Sequence, residues 1–205
     1  MKQEKLDQAW QALFEGQYEQ ASRLIQDLPE SYSKWNLQAY LAVEKGEFTQ
    51  ARSYLAAYVQ RAETERQMEQ LHIGLHQQAY VEREAGDWSR ALHLIKQEQE
   101  ILEQYFPEDV LKRSVNRYEM GYLQYLLGDI SKGLVYMKES LTLAKQTDDT
   151  IAQATCYRAL GEMQSSVADL QQALLLFEAA GDGVAAQEVQ QLMTTLQNSP
   201  ENDFS

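Results

Sequence analysis

Proline is scarce in this chain of 205 residues, standing only at Pro29, Pro107 and Pro200. Proline removes an amide donor and clashes inside a helix, so its scarcity leaves long stretches free to be helical. Cysteine occurs once, at Cys156, which excludes an internal disulfide. No apolar run approaches the roughly 18 residues that mark a membrane-spanning helix. The opening residues, 1 to 7, are polar and charged and carry no apolar stretch of the secretory kind. Cations are outnumbered, with 18 Lys and Arg against 31 Asp and Glu, for a formal net charge of -13. Such a surface repels phosphate backbones, so nucleic acid is not expected as a direct partner. Together these absences predict a soluble cytoplasmic protein that makes no membrane contact.

What is abundant favours helix. Glutamine, glutamate, alanine and leucine dominate, and all four are good helix formers. Hydrophobic residues make up 44%, too many for a disordered chain. Alternation of the strand type is missing over any useful length. One short pattern recurs: glycine, any residue, a bulky residue, two more, then a small one. It reads Gly16-Gln17-Tyr18 with Ala21, Gly46-Glu47-Phe48 with Ala51, and Gly86-Asp87-Trp88 with Ala91. A weaker copy is Gly128-Asp129-Ile130 with Gly133, and a degenerate fifth is Ala168-Asp169-Leu170 with Ala173.

The pattern has a physical meaning. Glycine takes a left-handed backbone at a helix end where other residues are strained. The polar residue after it can accept amide hydrogen bonds from the helix that begins there. The bulky residue fills the elbow, and the small one lets two helices approach. Each copy therefore predicts a helical hairpin and not a phosphate loop. The turns begin at 16, 46, 86, 128 and 168, at intervals of 30, 40, 42 and 40. Between turns, apolar residues recur at helical spacing, as in Ala51, Leu55 and Tyr58.

On these residues the chain resembles the tetratricopeptide-repeat (TPR) family. That family places a small residue seven before the turn glycine, here Ala9, Ala39, Ala79, Gly121 and Gly161. An apolar residue follows nine after it, here Ile25, Leu55, Ile95, Met137 and Phe177. The usual period is about 34 residues. Intervals near 40 imply longer helices or connections, as in peptide-sensing bacterial regulators and some scaffold proteins. The resemblance implies an all-α fold: a right-handed α-solenoid of about five TPR-like helical hairpins. Val184 to Leu196 is expected to add a C-terminal capping helix. One superhelical domain is expected over 1–197, with a flexible polar tail over 198–205.

The resemblance also implies which residues face inward, at the second, fifth, ninth and twelfth positions when the turn glycine is the fifteenth. The ninth positions are Trp10, Tyr40, Tyr80, Tyr122 and Glu162. The fifth are Leu6, Asn36, His76, Tyr118 and Arg158, and the twelfth Leu13, Val43, Arg83, Tyr125 and Ser165. Tyrosine combines a large apolar ring with one hydrogen-bonding tip, which suits recognition. The expected partner-binding groove is therefore Asn36, Tyr40, His76, Tyr80, Arg83, Tyr118, Tyr122, Tyr125, Arg158 and Glu162. The alternative for each tyrosine is packing between adjacent first helices. The lysine set with which some relatives clamp a terminal carboxylate is absent at matching positions.

Catalytic and metal chemistry find little support. His72 and His76 lie four apart on one predicted helix face, with Glu69 a turn back, but Ile73 stands where the zinc-protease pattern needs glutamate. Cys156 reads as a small core residue. The basic cluster Lys112, Arg113 and Arg117 reads as a solvated face or a small anion contact. No phosphate loop, Gly-x-Ser-x-Gly elbow or paired-carboxylate motif is present. No cofactor, no metal and no enzymatic activity are expected. The leading reading is an adaptor or scaffold for a protein or peptide. The alternatives are a peptide-responsive regulator and a self-associating module, the latter as a possible homodimer. Because the first hairpin is expected within the opening residues, such a regulator would act on a partner protein.

Overall fold

The computed structural model describes residues 2–198, and all regular structure among them is α-helical. The helices are α1 (Lys2–Phe14), α2 (Tyr18–Ile25), α3 (Tyr32–Glu44), α4 (Phe48–Thr64), α5 (Met68–Glu84) and α6 (Trp88–Tyr105). They continue as α7 (Val110–Leu126), α8 (Ile130–Ala144), α9 (Thr150–Gln164), α10 (Val167–Ala180) and α11 (Gly183–Gln197). Consecutive helices form five hairpins, from α1–α2 to α9–α10, followed by α11. The chain divides into two compact units, Met1–Ile101 and Leu102–Ser205. The tail expected over 198–205 lies, from 199 onward, outside the described residues.

The turns form for the reason their glycines suggest. Gly16, Gly46, Gly86 and Gly128 have φ of +72°, +72°, +82° and +88°. At the first turn, Gly16 N–H donates to Leu13 O at 2.9 Å and Gln17 N–H to Ala12 O at 2.7 Å. This pair of bonds satisfies carbonyls that the helix end would leave bare. The following helix is capped by a side chain at Asp129, which accepts from Lys132 N–H at 3.1 Å, but not at Gln17 or Glu47.

The small residues sit where the helices cross. A Cβ on Gly121 would lie 3.0 Å from Gly133 O, so α7 and α8 meet almost backbone to backbone. Ala9 with Ala21 and Ala39 with Ala51 occupy the same crossings in the first unit, and all four are buried. Each core joins a hairpin to the helix after it. Ala9, Ala21 and Ile25 pack with Leu37 and Leu41 of α3, and Ala39, Ala51 and Leu55 with Val81 of α5. In the second unit, Met137 of α8 packs with Leu160 of α9. The buried Val189 of α11 closes the last hairpin over Phe177. Burying a side chain the size of Leu55 is worth about 1.5–3 kcal/mol.

The long period comes from long helices. The α2 helix has 8 residues, whereas α4 has 17 and α6 has 18, which accounts for a first interval of 30 against the later 40.

The fifth elbow departs from the expected Ala168 turn. The left-handed residue is Ser165, with φ +52°, and Ser166 caps α10 by accepting from Asp169 N–H at 3.3 Å. The bend therefore comes three residues early, and α10 starts sooner to compensate. The packing register does not move. Buried Ala154, Cys156, Leu160, Gly161 and Met163 repeat buried Ser114, Asn116, Met120, Gly121 and Leu123 at an offset of 40. Arg66 is a second non-glycine residue at φ +52°, and it makes the α4–α5 connection as tight as a hairpin turn.

A left-handed residue with a Cβ costs roughly 1–2 kcal/mol. Ser165→Gly is expected to stabilise the chain by about 0.5–1 kcal/mol, and Gly128→Ala to destabilise it by about 1 kcal/mol. Urea midpoints check both, and a Ser165→Gly midpoint below that of the parent chain would refute the strain account.

A candidate partner-binding face

Three first helices of the first unit each bring an aromatic ring to the same repeat position. Trp10 of α1 meets Tyr40 of α3 with ring centroids 5.4 Å apart, edge to face. Tyr40 meets Tyr80 of α5 at 5.0 Å. Phe14, 81% exposed, stacks on Trp10 at 5.9 Å. Arg83 lies one turn from Tyr80, with its guanidinium carbon 5.5 Å from the ring centre. Sequence spacing of 30 and 40 residues thus becomes a continuous run of rings, because consecutive hairpins stack in register. Trp10, Tyr40 and Tyr80 are neither buried nor fully exposed. Burial, with the charges of Glu84 and Glu44 and the Tyr40 ring nearby, pushes the Tyr80 phenol up to about 12.

Asn36 is half-buried on α3, and its Oδ1 is buried with no hydrogen-bond donor reaching it. His76, half-buried on α5, meets a carboxylate of the next helix. Its Nδ1 is 3.1 Å from Oε2 of Glu98, a carboxylate of α6 that is only 3% exposed. His72 Nδ1 lies 3.5 Å from the other oxygen of Glu98, and His72 Nε2 3.5 Å from Glu69 Oε1. One buried carboxylate thus ties both histidines to α6. Among the described residues no cluster of three or more His, Cys, Asp or Glu is arranged to hold a metal ion.

In the second unit, Tyr118, Tyr122 and Tyr125 follow one another along α7. Tyr118 and Tyr122 stack at 6.1 Å with planes 8° apart, and Tyr122 and Tyr125 lie 6.3 Å apart. All three are half-buried against the α8–α9 core. Arg158 and Glu162 occupy on α9 the places of Tyr118 and Tyr122, 40 residues earlier. Arg158 reaches Glu188 of α11 at 3.5 Å, while its Nε is buried without a hydrogen-bond partner. Glu162 is half-exposed.

Other candidates resolve into structural roles. Cys156 is buried, and burial raises its thiol pKa, the opposite of what a nucleophile needs. It lies 3.2 Å from Ser140 Oγ, and that hydroxyl donates to Ser114 O at 2.7 Å. The basic cluster is engaged within the chain. Lys112 pairs with Asp109 at 2.6 Å, Arg113 donates to Pro107 O at 3.0 Å, and Arg117 is 3.3 Å from Glu139. No described helix is long and apolar enough to cross a membrane.

No protein-family model matches the chain, and no curated protein sequence matches it. Solved structures do. BtubC (BKLC) from P. vanneervenii superposes over 100% of this chain and 94% of its own, at 16% identity and a TM-score of 0.64. A tetratricopeptide-repeat protein from Parabacteroides merdae does so over 95% of this chain and 70% of its own, at 15% identity and a TM-score of 0.68. A signal-transduction ATPase from Pyrococcus horikoshii with a tetratricopeptide-repeat sensor matches 94% of this chain at 18% identity and a TM-score of 0.69. This chain covers 31% of that ATPase. The class defined by hairpins, turns and superpositions is the helical-repeat solenoid. Within that class, this chain has the tetratricopeptide-repeat fold.

Two predictions come from these titratable groups. Tyr58 and Tyr80 both titrate near about 12, against an ordinary 10.0. Their folded values are raised, so the stability they contribute is complete below pH 10 and is lost as pH climbs toward 12. Urea midpoints should fall over that window, and Tyr58→Phe with Tyr80→Phe should flatten the fall. An unchanged slope in the double variant counts against the assignment. Separately, Glu98→Ala removes the buried carboxylate that both imidazoles approach and should cost about 2 kcal/mol, whereas exposed Glu100→Ala should cost almost nothing. Thermal melts of the two variants make the comparison.

Proposed function

We propose that this chain is a non-catalytic adaptor that holds another protein, or a peptide segment of one, against the aromatic faces of its first helices. The observation that carries this reading is the ring series Phe14, Trp10, Tyr40 and Tyr80 across three consecutive hairpins, partly open to solvent. Half-exposed tyrosine and tryptophan supply contact area at small entropic cost and are enriched where binding energy concentrates. The Tyr118, Tyr122 and Tyr125 series offers a second surface of the same chemistry on α7. The fold supports the reading through its class, since stacked hairpins present extended surfaces that suit polypeptides.

Selection of a displayed random-peptide library on the purified chain tests it. Enriched peptides should bind the parent chain and lose about tenfold or more in affinity to a Tyr40→Ala, Tyr80→Ala variant of unchanged helicity. A Tyr118→Ala, Tyr122→Ala variant, assayed alongside, tells which unit carries the contact. Peptides that bind both variants as well as the parent would overturn the assignment of these faces.

A further inference from the structure

The gap between α2 and α4, floored by α3, holds a cavity of about 370 Å³. The gap between α4 and α6, floored by α5, is the same place one repeat later and holds about 170 Å³. The turn glycines at 16, 46 and 86 fix the correspondence. Ser22 matches Arg52, Gln38 matches Gln78, Ala42 matches Glu82, and Gln50 matches Arg90. Every one of these residues lines its own cavity.

The later gap is narrowed by a charged cluster. Arg52 clamps Glu82 with two nitrogens, Nε at 2.9 Å and Nη2 at 2.7 Å, and Arg90 Nε adds a third contact at 3.2 Å. Glu82 is 2% exposed, and Gln78 Nε2 donates to Leu55 O at 3.4 Å. In the earlier gap all three charged groups are replaced by short or neutral ones. The space stays wider, and on its floor stands Gln38, whose Oε1 is shut off from solvent with no hydrogen-bond partner. A buried acceptor without a donor is costly to keep.

We infer that this open gap is a binding site for a small zwitterion of the α-amino-acid class. Arg23 and Lys45 stand on its wall and present cationic donors to a carboxylate. Glu47 on the same wall accepts from an ammonium. Ile25 and Leu41 give the apolar surface against which a side chain rests. The volume falls within the roughly 300–1,000 Å³ of small-molecule sites. The site shares no residue with the tyrosine faces, so either assignment stands without the other.

The test is an NMR titration of the isotope-labelled full chain with each common L-amino acid in turn. One or a few are expected to shift the amide signals of Ser22, Gln38, Lys45 and Glu47 saturably, with Kd tighter than about 1 mM. Ser22→Arg, Ala42→Glu and Gln50→Arg together move the neighbouring ion cluster into the gap and should weaken binding by about tenfold or more. Arg23→Ala with Lys45→Ala, at two exposed positions that do not threaten the fold, should weaken it similarly. Absence of a saturable shift with every amino acid overturns the proposal. So does unchanged affinity in the Arg23→Ala, Lys45→Ala variant.

Discussion

Everything in this molecule rests on two helices approaching until little more than a Cβ fits between them. At the α7–α8 crossing even a Cβ is too much, and Gly121 faces Gly133 across backbone atoms 3.0 Å from where a Cβ would stand. At Ala9–Ala21 and Ala39–Ala51 one methyl from each side is accommodated. The close crossing sets the distance between the helices of a hairpin. That distance in turn decides which residues of the first helix meet the next hairpin and which face solvent. The left-handed turn residue makes the crossing possible, because it reverses the chain within three residues while its amide and the next one satisfy the helix-end carbonyls.

The legible part of this structure was local. A turn glycine, a small residue seven before it and another five after it lie within one hairpin, and their chemistry dictates their role. Hence five hairpins and a closing helix could be read from residue types and spacing. The same spacing brought Trp10, Tyr40 and Tyr80 to one register. What escaped the sequence depends on partners from another helix. Glu98 gives no sign of reaching His72 and His76, 26 and 22 residues away, because a glutamate on a charged chain reads as solvated face. Glu82 is hidden in the same way. Ser165 and Arg66 escaped for a different reason: neither residue type announces a positive φ, and only the surrounding packing holds them there.

The fifth elbow separates two requirements that coincide elsewhere. In the other hairpins the turn glycine and the packing register keep a fixed offset, so either predicts the other. Here the elbow moves three residues while Gly161, Ala173 and Phe177 stay buried as their equivalents Gly121, Gly133 and Met137 are. The crossing is therefore the stronger constraint, and the turn adapts to it. A shorter α9 and an earlier α10 keep the helices in contact at the cost of one strained serine.

The repeats also serve as comparisons for one another. Positions that packing dictates are alike in every copy, small at the crossing and apolar nine after the turn. An aromatic residue at the ninth position recurs in four copies, as Trp10, Tyr40, Tyr80 and Tyr122, although the neighbouring crossing residue already satisfies close approach. Each of these rings packs against a core while staying partly open to solvent. The opposite case is the outer gap, where the floor glutamine recurs but its surroundings change. Arg52 and Arg90 both hold Glu82 in one copy, and Ser22, Ala42 and Gln50 leave the other without charge at the same places. Glu82 needs its arginines, because a buried carboxylate alone is a desolvated charge without a counterpart. The two gaps therefore differ in width, about 170 Å³ where the chain supplies an ion cluster and about 370 Å³ where it does not.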